Sequence, residues 1–192
     1  MKNYKKNLEL LSKNYVYSKE MEHDACGVGV IVSTEGKKSR EIVEHGIEAL
    51  KAVWHRGAVD ADGKTGDGAG IHVEIPKDFF IEKIEVTGHD YDNAEICVGM
   101  IFLPRNDYSA QETCKTIVES ELTKNNFSIY GWRQVPVNPK ILGQKALQTM
   151  PEIIQVLFKS NDQNLLDKNL ERKIYETRKK IEKKAFHLSL NN

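Results

Sequence analysis

The chain has 192 residues, 40% of them hydrophobic, which suffices for a packed core and excludes a disordered composition. Lysine plus arginine equals aspartate plus glutamate at 28 each, so net charge offers no argument for nucleic acid or an anionic membrane as partner. Three cysteines, Cys26, Cys97 and Cys114, are odd in number and form no CxxC pair, which argues against a disulfide framework or a structural zinc site and for the cytoplasm.

Residues 1–25 are polar and lysine-rich, with no sustained period. Lys2, Lys5 and Lys6 are not followed by an apolar core, so the segment fails as a secretory signal, and nowhere is an apolar run long enough to span a bilayer. Residues 27–33 are rich in β-branched side chains (Val28, Val30, Ile31, Val32) and predict a buried strand. Ser39 is placed to cap a helix running to Trp54, with Ile42, Val43, Ile47, Leu50 and Val53 on one face. His55-Arg56-Gly57-Ala58 follows, then the glycine-rich loop Thr65-Gly66-Asp67-Gly68-Ala69-Gly70.

The alternation of residues 71–75 predicts a strand ended by Pro76, and residues 77–84 a short helix. Further strands are predicted over 95–103, 127–135 and 153–159, with a helix over 107–122. The longest helix is expected over 162–185, and His187 to Leu190 opens another alternating strand. Strands and helices mix without a strict β-α-β rhythm, so the expected class is α+β. A strand beginning in the last six residues implies a domain truncated before completion.

Cys26 stands at the mouth of the first apolar run, with Gly27 and Gly29 beside it. A thiol of pKa ~8.5 is only a few per cent thiolate at neutral pH. An α-amino group on the same residue, titrating near ~8, can take the thiol proton and supply the base. That chemistry requires cleavage after Ala25, making residues 1–25 a leader. Gly27 and Gly29 would let a substrate approach the backbone. From the residue alone the commoner role is a small buried hydrophobe, and Cys97 and Cys114 are read that way.

Arg56 could clamp a carboxylate, or simply serve the end of a helix that Gly57 closes. The 65–70 loop lacks the GK[ST] ending of a phosphate loop and precedes a strand, leaving a tight turn or an active-site wall. His23, His45, His55 and His72 match no compact metal-ligand spacing, so no metal site is expected.

Taken in order, Asp24-Ala25-Cys26-Gly27-Val28-Gly29, His55-Arg56-Gly57-Ala58 and Thr65-Gly66-Asp67-Gly68-Ala69-Gly70-Ile71 resemble the class II glutamine amidotransferase domain of glutamate synthases. Gly131-Trp132-Arg133-Gln134-Val135-Pro136-Val137 and Pro151-Glu152-Ile153-Ile154-Gln155-Val156 are similar to the same family. The resemblance implies an N-terminal-nucleophile hydrolase fold, a four-layer αββα sandwich. It implies a leader over 1–25 and a partial amidotransferase domain over 26–192. Cys26 would attack L-glutamine to form a thioester, releasing ammonia for transfer to 2-oxoglutarate. Arg56, Gly27, Asp67 and Gly68 would bind substrate or shape the site.

The family's oxyanion Asn-Gly pair is absent from these residues, and Asn191-Asn192 does not supply it. The fragment is therefore expected to be inactive alone. No cofactor is expected in it. FMN and an iron–sulfur cluster, the synthase domains and an electron-transfer subunit are implied for the full-length family protein. A non-enzymatic interaction module retaining half the fold, and a small domain binding an anion at Gly66–Gly70, are the competing readings.

Overall fold

The computed structural model describes residues 27–54, 57–162 and 168–189, together with positions 6, 10 and 13. The chain divides into two compact units, Met1–Ala61 with Gly66–His72, and Asp62–Thr65 with Val73–Asn192. Among the described residues the elements are helix α1 (Arg40–Ala52), α2 (Lys77–Val86), strand β1 (Cys97–Leu103), α3 (Tyr108–Lys124), β2 (Phe127–Gln134), α4 (Gln144–Thr149), β3 (Glu152–Ser160) and α5 (Lys168–Ser189).

The first unit is built on α1. Ser39 caps it as expected, its Oγ accepting from the Ile42 amide at 3.3 Å. Glu41 lies in the first turn and Lys51 in the last, each sign where the helix dipole favours it. Arg40–Glu44 and Lys51–Glu48 pair along the solvent side at 3.1 and 2.8 Å. Gly46 lets Ile71 approach: a Cβ there would lie 3.2 Å from Ile71 Cδ1.

The second unit holds an antiparallel three-stranded sheet in the order β1-β3-β2. Cys97 pairs with Phe158 and Leu103 with Glu152, while Phe127 pairs with Ser160 and Gln134 with Ile154. Successive β3 side chains feed opposite faces, as a period of two requires. Val156 and Phe158 join Cys97, Val118, Leu122, Phe127 and Leu170 under α3 and α5. Leu157 joins Phe80, Ile84, Ile96 and Tyr130 under α2. Both faces are apolar along the central strand, so this run lacks polar–apolar alternation.

Three expected strands do not form. Residues 27–33 and 71–75 adopt no ladder, and His187 to Leu188 are the last turns of α5. A strand needs a partner backbone, and β-propensity alone supplies none. Val28, Val30 and Val32 are left exposed at 95%, 83% and 71%. At the C-terminal end, three or four alternating residues are too few to outweigh the helix-forming Lys183-Lys184-Ala185 that precedes them. The four-layer arrangement is thus represented by one sheet with helices on both faces; no second sheet occurs among the described residues.

Candidate functional site

Cys26 and Arg56, the expected nucleophile and an expected site-shaping residue, lie outside the described residues, as does the expected leader apart from positions 6, 10 and 13. The remaining expected site residues, Gly27, Asp67 and Gly68, are all described and all exposed. Asp67 and Gly68 lie in a loop that follows α1.

α1 ends at Ala52, and Gly57 donates back to the Trp54 carbonyl at 3.0 Å. The chain then runs through Ala58 and Val59 and returns at Gly66 and Asp67. Val59 and Gly66 form an isolated antiparallel bridge. Asp67 Oδ2 accepts from the Ala58 amide at 2.9 Å. That bond fixes the backbone two residues after Arg56. Gly68 has φ +91°, a region L side chains rarely adopt, so glycine is required there to turn the chain away from Asp67. A carboxylate already occupying a loop amide is a poor start for an anion cradle, which argues against an anion site at 66–70.

In the second unit, sequence reasoning missed two residues of the turn at 62–65 and its contact. Asp62 gathers three groups at its tip: the Lys64 amide at 2.9 Å, the Thr65 amide at 2.7 Å and the Thr65 hydroxyl at 2.6 Å. Its second oxygen also accepts from the Gln144 amide at 3.1 Å. The Thr65 hydroxyl, followed by the backbone donors, holds the Asp62 carboxyl well below the usual carboxylate range. Gly143, which precedes Gln144, is buried and leaves no room for a Cβ, which would fall on Thr65 Oγ1 and Asp62 Oδ2. An Asp-x-x-Thr spacing signals such a turn. Nothing in sequence signals that its partner lies at residue 144.

Of the other cysteines, Cys97 is a small core residue, while Cys114 is only half-buried on α3. Cys97 is buried, and burial pushes its thiol up to about 12. Cys97 and Cys114 are both free. Among the described residues no group of three or more His, Cys, Asp or Glu comes together to hold a metal ion. No helix among the described residues is long and apolar enough to cross a membrane.

A family model for class-II glutamine amidotransferases matches residues 26–192. The chain is 51% identical over 180 residues to the glutamate synthase [NADPH] large chain of Azospirillum brasilense, covering 94% of this chain and 12% of that protein. It is 38% identical over 175 residues to a ferredoxin-dependent glutamate synthase of Pyropia yezoensis, covering 91% of this chain and 11% of that one. The chloroplastic/mitochondrial ferredoxin-dependent glutamate synthase 1 of Arabidopsis thaliana is 40% identical over 163 residues, covering 84% and 10%. The chain thus spans about an eighth or less of the length of these relatives. It belongs to the class-II glutamine amidotransferases, and with them to the α+β N-terminal-nucleophile fold class.

Proposed function

We propose that this chain carries the nucleophile of a glutamine amidotransferase domain that serves a glutamate synthase. Cys26 is the nucleophile, exposed by removal of residues 1–25. The observation that carries the reading is that the family match opens on Cys26 itself. A domain whose first residue is a cysteine can use its own α-amine as base, and a domain that continues a longer chain cannot.

In this reading the freed amine takes the thiol proton, and sulfur attacks the δ-carbon of glutamine. The tetrahedral adduct collapses as the C–N bond breaks. The amide nitrogen leaves as ammonia, accepting the proton that the amine holds. Water then adds to the thioester carbonyl, the C–S bond breaks, and glutamate and the thiol are regenerated. Arg56 and Asp67 shape the substrate's place, Asp67 by setting the backbone after Arg56. Gly27 keeps the approach to the thiol open, and Gly68 permits the turn beside Asp67.

The ammonia passes to the synthase part of the whole protein, where 2-oxoglutarate accepts it; FMN and an iron–sulfur cluster belong to that part. A reducing location such as the cytoplasm suits a free nucleophilic thiol. The 192 residues contain no Asn-Gly pair to bind the oxyanion. One lost oxyanion donor typically costs ~10²–10³ in kcat, so these residues alone hydrolyse glutamine slowly or not at all.

The test is glutamine hydrolysis by the whole synthase chain containing these residues. Cys26→Ala lowers kcat by a factor on the order of 10⁴ or more, with cofactor content unchanged. Hydrolysis at the parent rate by Cys26→Ala would remove the assignment.

A further inference from the structure

The motif over residues 131–137 contributes one side chain that neither the core nor the proposed reaction uses. Arg133 is half-buried near the end of β2. Across the sheet it pairs with Gln155 on β3, and Gln155 pairs with Met100 on β1, so the three stand in one row on one face. Leu157, two residues along β3, lies on the same face, and there α2 covers the sheet with Phe80 and Ile84. Beyond α2 the face is open: Met100 and, two residues on, Phe102 are 50% and 64% exposed.

Arg133 Nη1 donates to Gln155 Oε1 at 2.6 Å, and the guanidinium lies 5.2 Å from the centroid of the Phe79 ring. Lys83 Nζ approaches the same ring at 5.0 Å. Two cations thus converge on one aromatic ring. Among the described residues no carboxylate pairs with Arg133, and Lys83 has only its neighbour Glu82, at 4.0 Å. Gln155 is more than nine-tenths buried, yet its Nε2 donates to nothing among the described residues. Every sealed side-chain nitrogen or oxygen there has a hydrogen bond, so this Nε2 is not sealed but opens on the uncovered part of the face.

A guanidinium and an amide nitrogen side by side, both with protons to give, form a receptor for a carboxylate. The residue types around it, phenylalanine and methionine, are enriched together with arginine where one protein surface closes on another. A free anion would satisfy the donors and leave Met100 and Phe102 in water. A chain segment carrying one carboxylate among apolar side chains covers both. The chain covers 12% of its Azospirillum brasilense relative, so most of such a protein lies outside these residues.

We propose that this open face, centred on Arg133, is a docking surface for a segment of the whole synthase chain outside residues 1–192, and that the segment sets an aspartate or glutamate carboxylate on Arg133 and Gln155. The proposal rests on the reading that these residues belong to a longer synthase chain; it does not need Cys26 to be the nucleophile.

The test uses the purified whole synthase chain. Phenylglyoxal, which modifies free guanidinium groups, is applied to the native chain, and labelling of Arg133 and Arg105 is followed by peptide mass mapping. Arg105 is exposed and makes no ion pair among the described residues, so it is the internal reference. Arg133 is expected to label at least about tenfold more slowly than Arg105. In a second arm, R133K is treated with a water-soluble carbodiimide. The lysine amine and the activated carboxylate join as an amide, and the carbodiimide takes up the water as a urea. The expected product joins position 133 to an aspartate or glutamate outside residues 1–192 of the same chain.

Labelling of Arg133 at the rate of Arg105 would overturn the proposal, and this arm decides alone if R133K does not fold. In folded R133K, the absence of a cross-link from position 133, a cross-link only to Glu82, or one between two copies of the chain, seen as a doubled mass, would overturn it too. Protection of Arg133 that appears only on adding free glutamate would show a small-ligand site and overturn the docking. Each of these leaves the Cys26 assignment standing, because hydrolysis by Cys26→Ala tests that separately.

Discussion

Gly131 shows how a single position can decide a strand. It follows Tyr130, the extra residue of a β-bulge in β2, where Ile129 pairs with Phe158 and Gly131 with Leu157. Gly131 has φ +153°, and a Cβ there would lie 2.7 Å from Thr87 Cγ2. Thr87 ends α2, its hydroxyl lying 2.6 Å from the Ile84 carbonyl and 2.8 Å from that of Tyr130. The bulge, the helix end and the missing side chain are one device. Gly131→Ala is expected to cost about 1–3 kcal/mol, read by urea unfolding of the chain. Beside the bulge, Tyr130 donates to Asp92 at 2.6 Å and Lys159 bonds the same carboxylate. Lys159 first, then Tyr130, lowers the Asp92 carboxyl from 3.8 to about 2. A carboxyl lowered on folding adds stability that is complete above its unfolded value and is lost as pH falls through the folded one. Asp92→Asn is therefore expected to flatten the pH dependence of stability between about 4 and 2, measured by urea midpoints at stepped pH. The effect is small because the Asp92 side chain is 48% exposed and solvent screens it.

At the scale of elements, what was legible in the sequence were the segments that bring their own reasons to form. Asp107 caps α3 by accepting from the Ala110 amide at 2.9 Å, and Ser39 does the same for α1. β1, β2 and β3 carry enough apolar residues to be sandwiched between helices and are where periodicity put them. The 27–33 and 71–75 runs are as β-prone and form nothing, because propensity is local and pairing is not. Ile71, Val73 and Ile75 remain exposed at 47%, 43% and 40%. The site was legible in the same uneven way. Asp67 and Gly68 announce themselves by composition, whereas Asp62 and Gly143 matter through a contact between distant positions. The sheet that did form is the part whose stability is testable. Leu157 is fully buried between the α2 face and the strands beside it. Leu157→Ala is expected to cost about 2–5 kcal/mol, with the urea slope unchanged and the midpoint lowered. A change below about 0.5 kcal/mol would mean the β3 core does not hold the unit together.

For the whole molecule, the chain is a small share of the glutamate synthases it matches, which include an NADPH and a ferredoxin-dependent enzyme. Class and family follow from the chain itself. In the proposed account, Cys26 works with oxyanion-binding groups supplied by the whole synthase chain. The account turns on one residue, and one measurement reaches it: intact mass and peptide mapping of the purified whole synthase chain after treatment with a glutamine-analogue electrophile. The expected result is a mature chain starting at Cys26 and carrying one label on that residue, with none on the Cys26→Ala variant. A chain that retains Ala25 while hydrolysing glutamine at full rate, or equal labelling of Cys26→Ala, would contradict it.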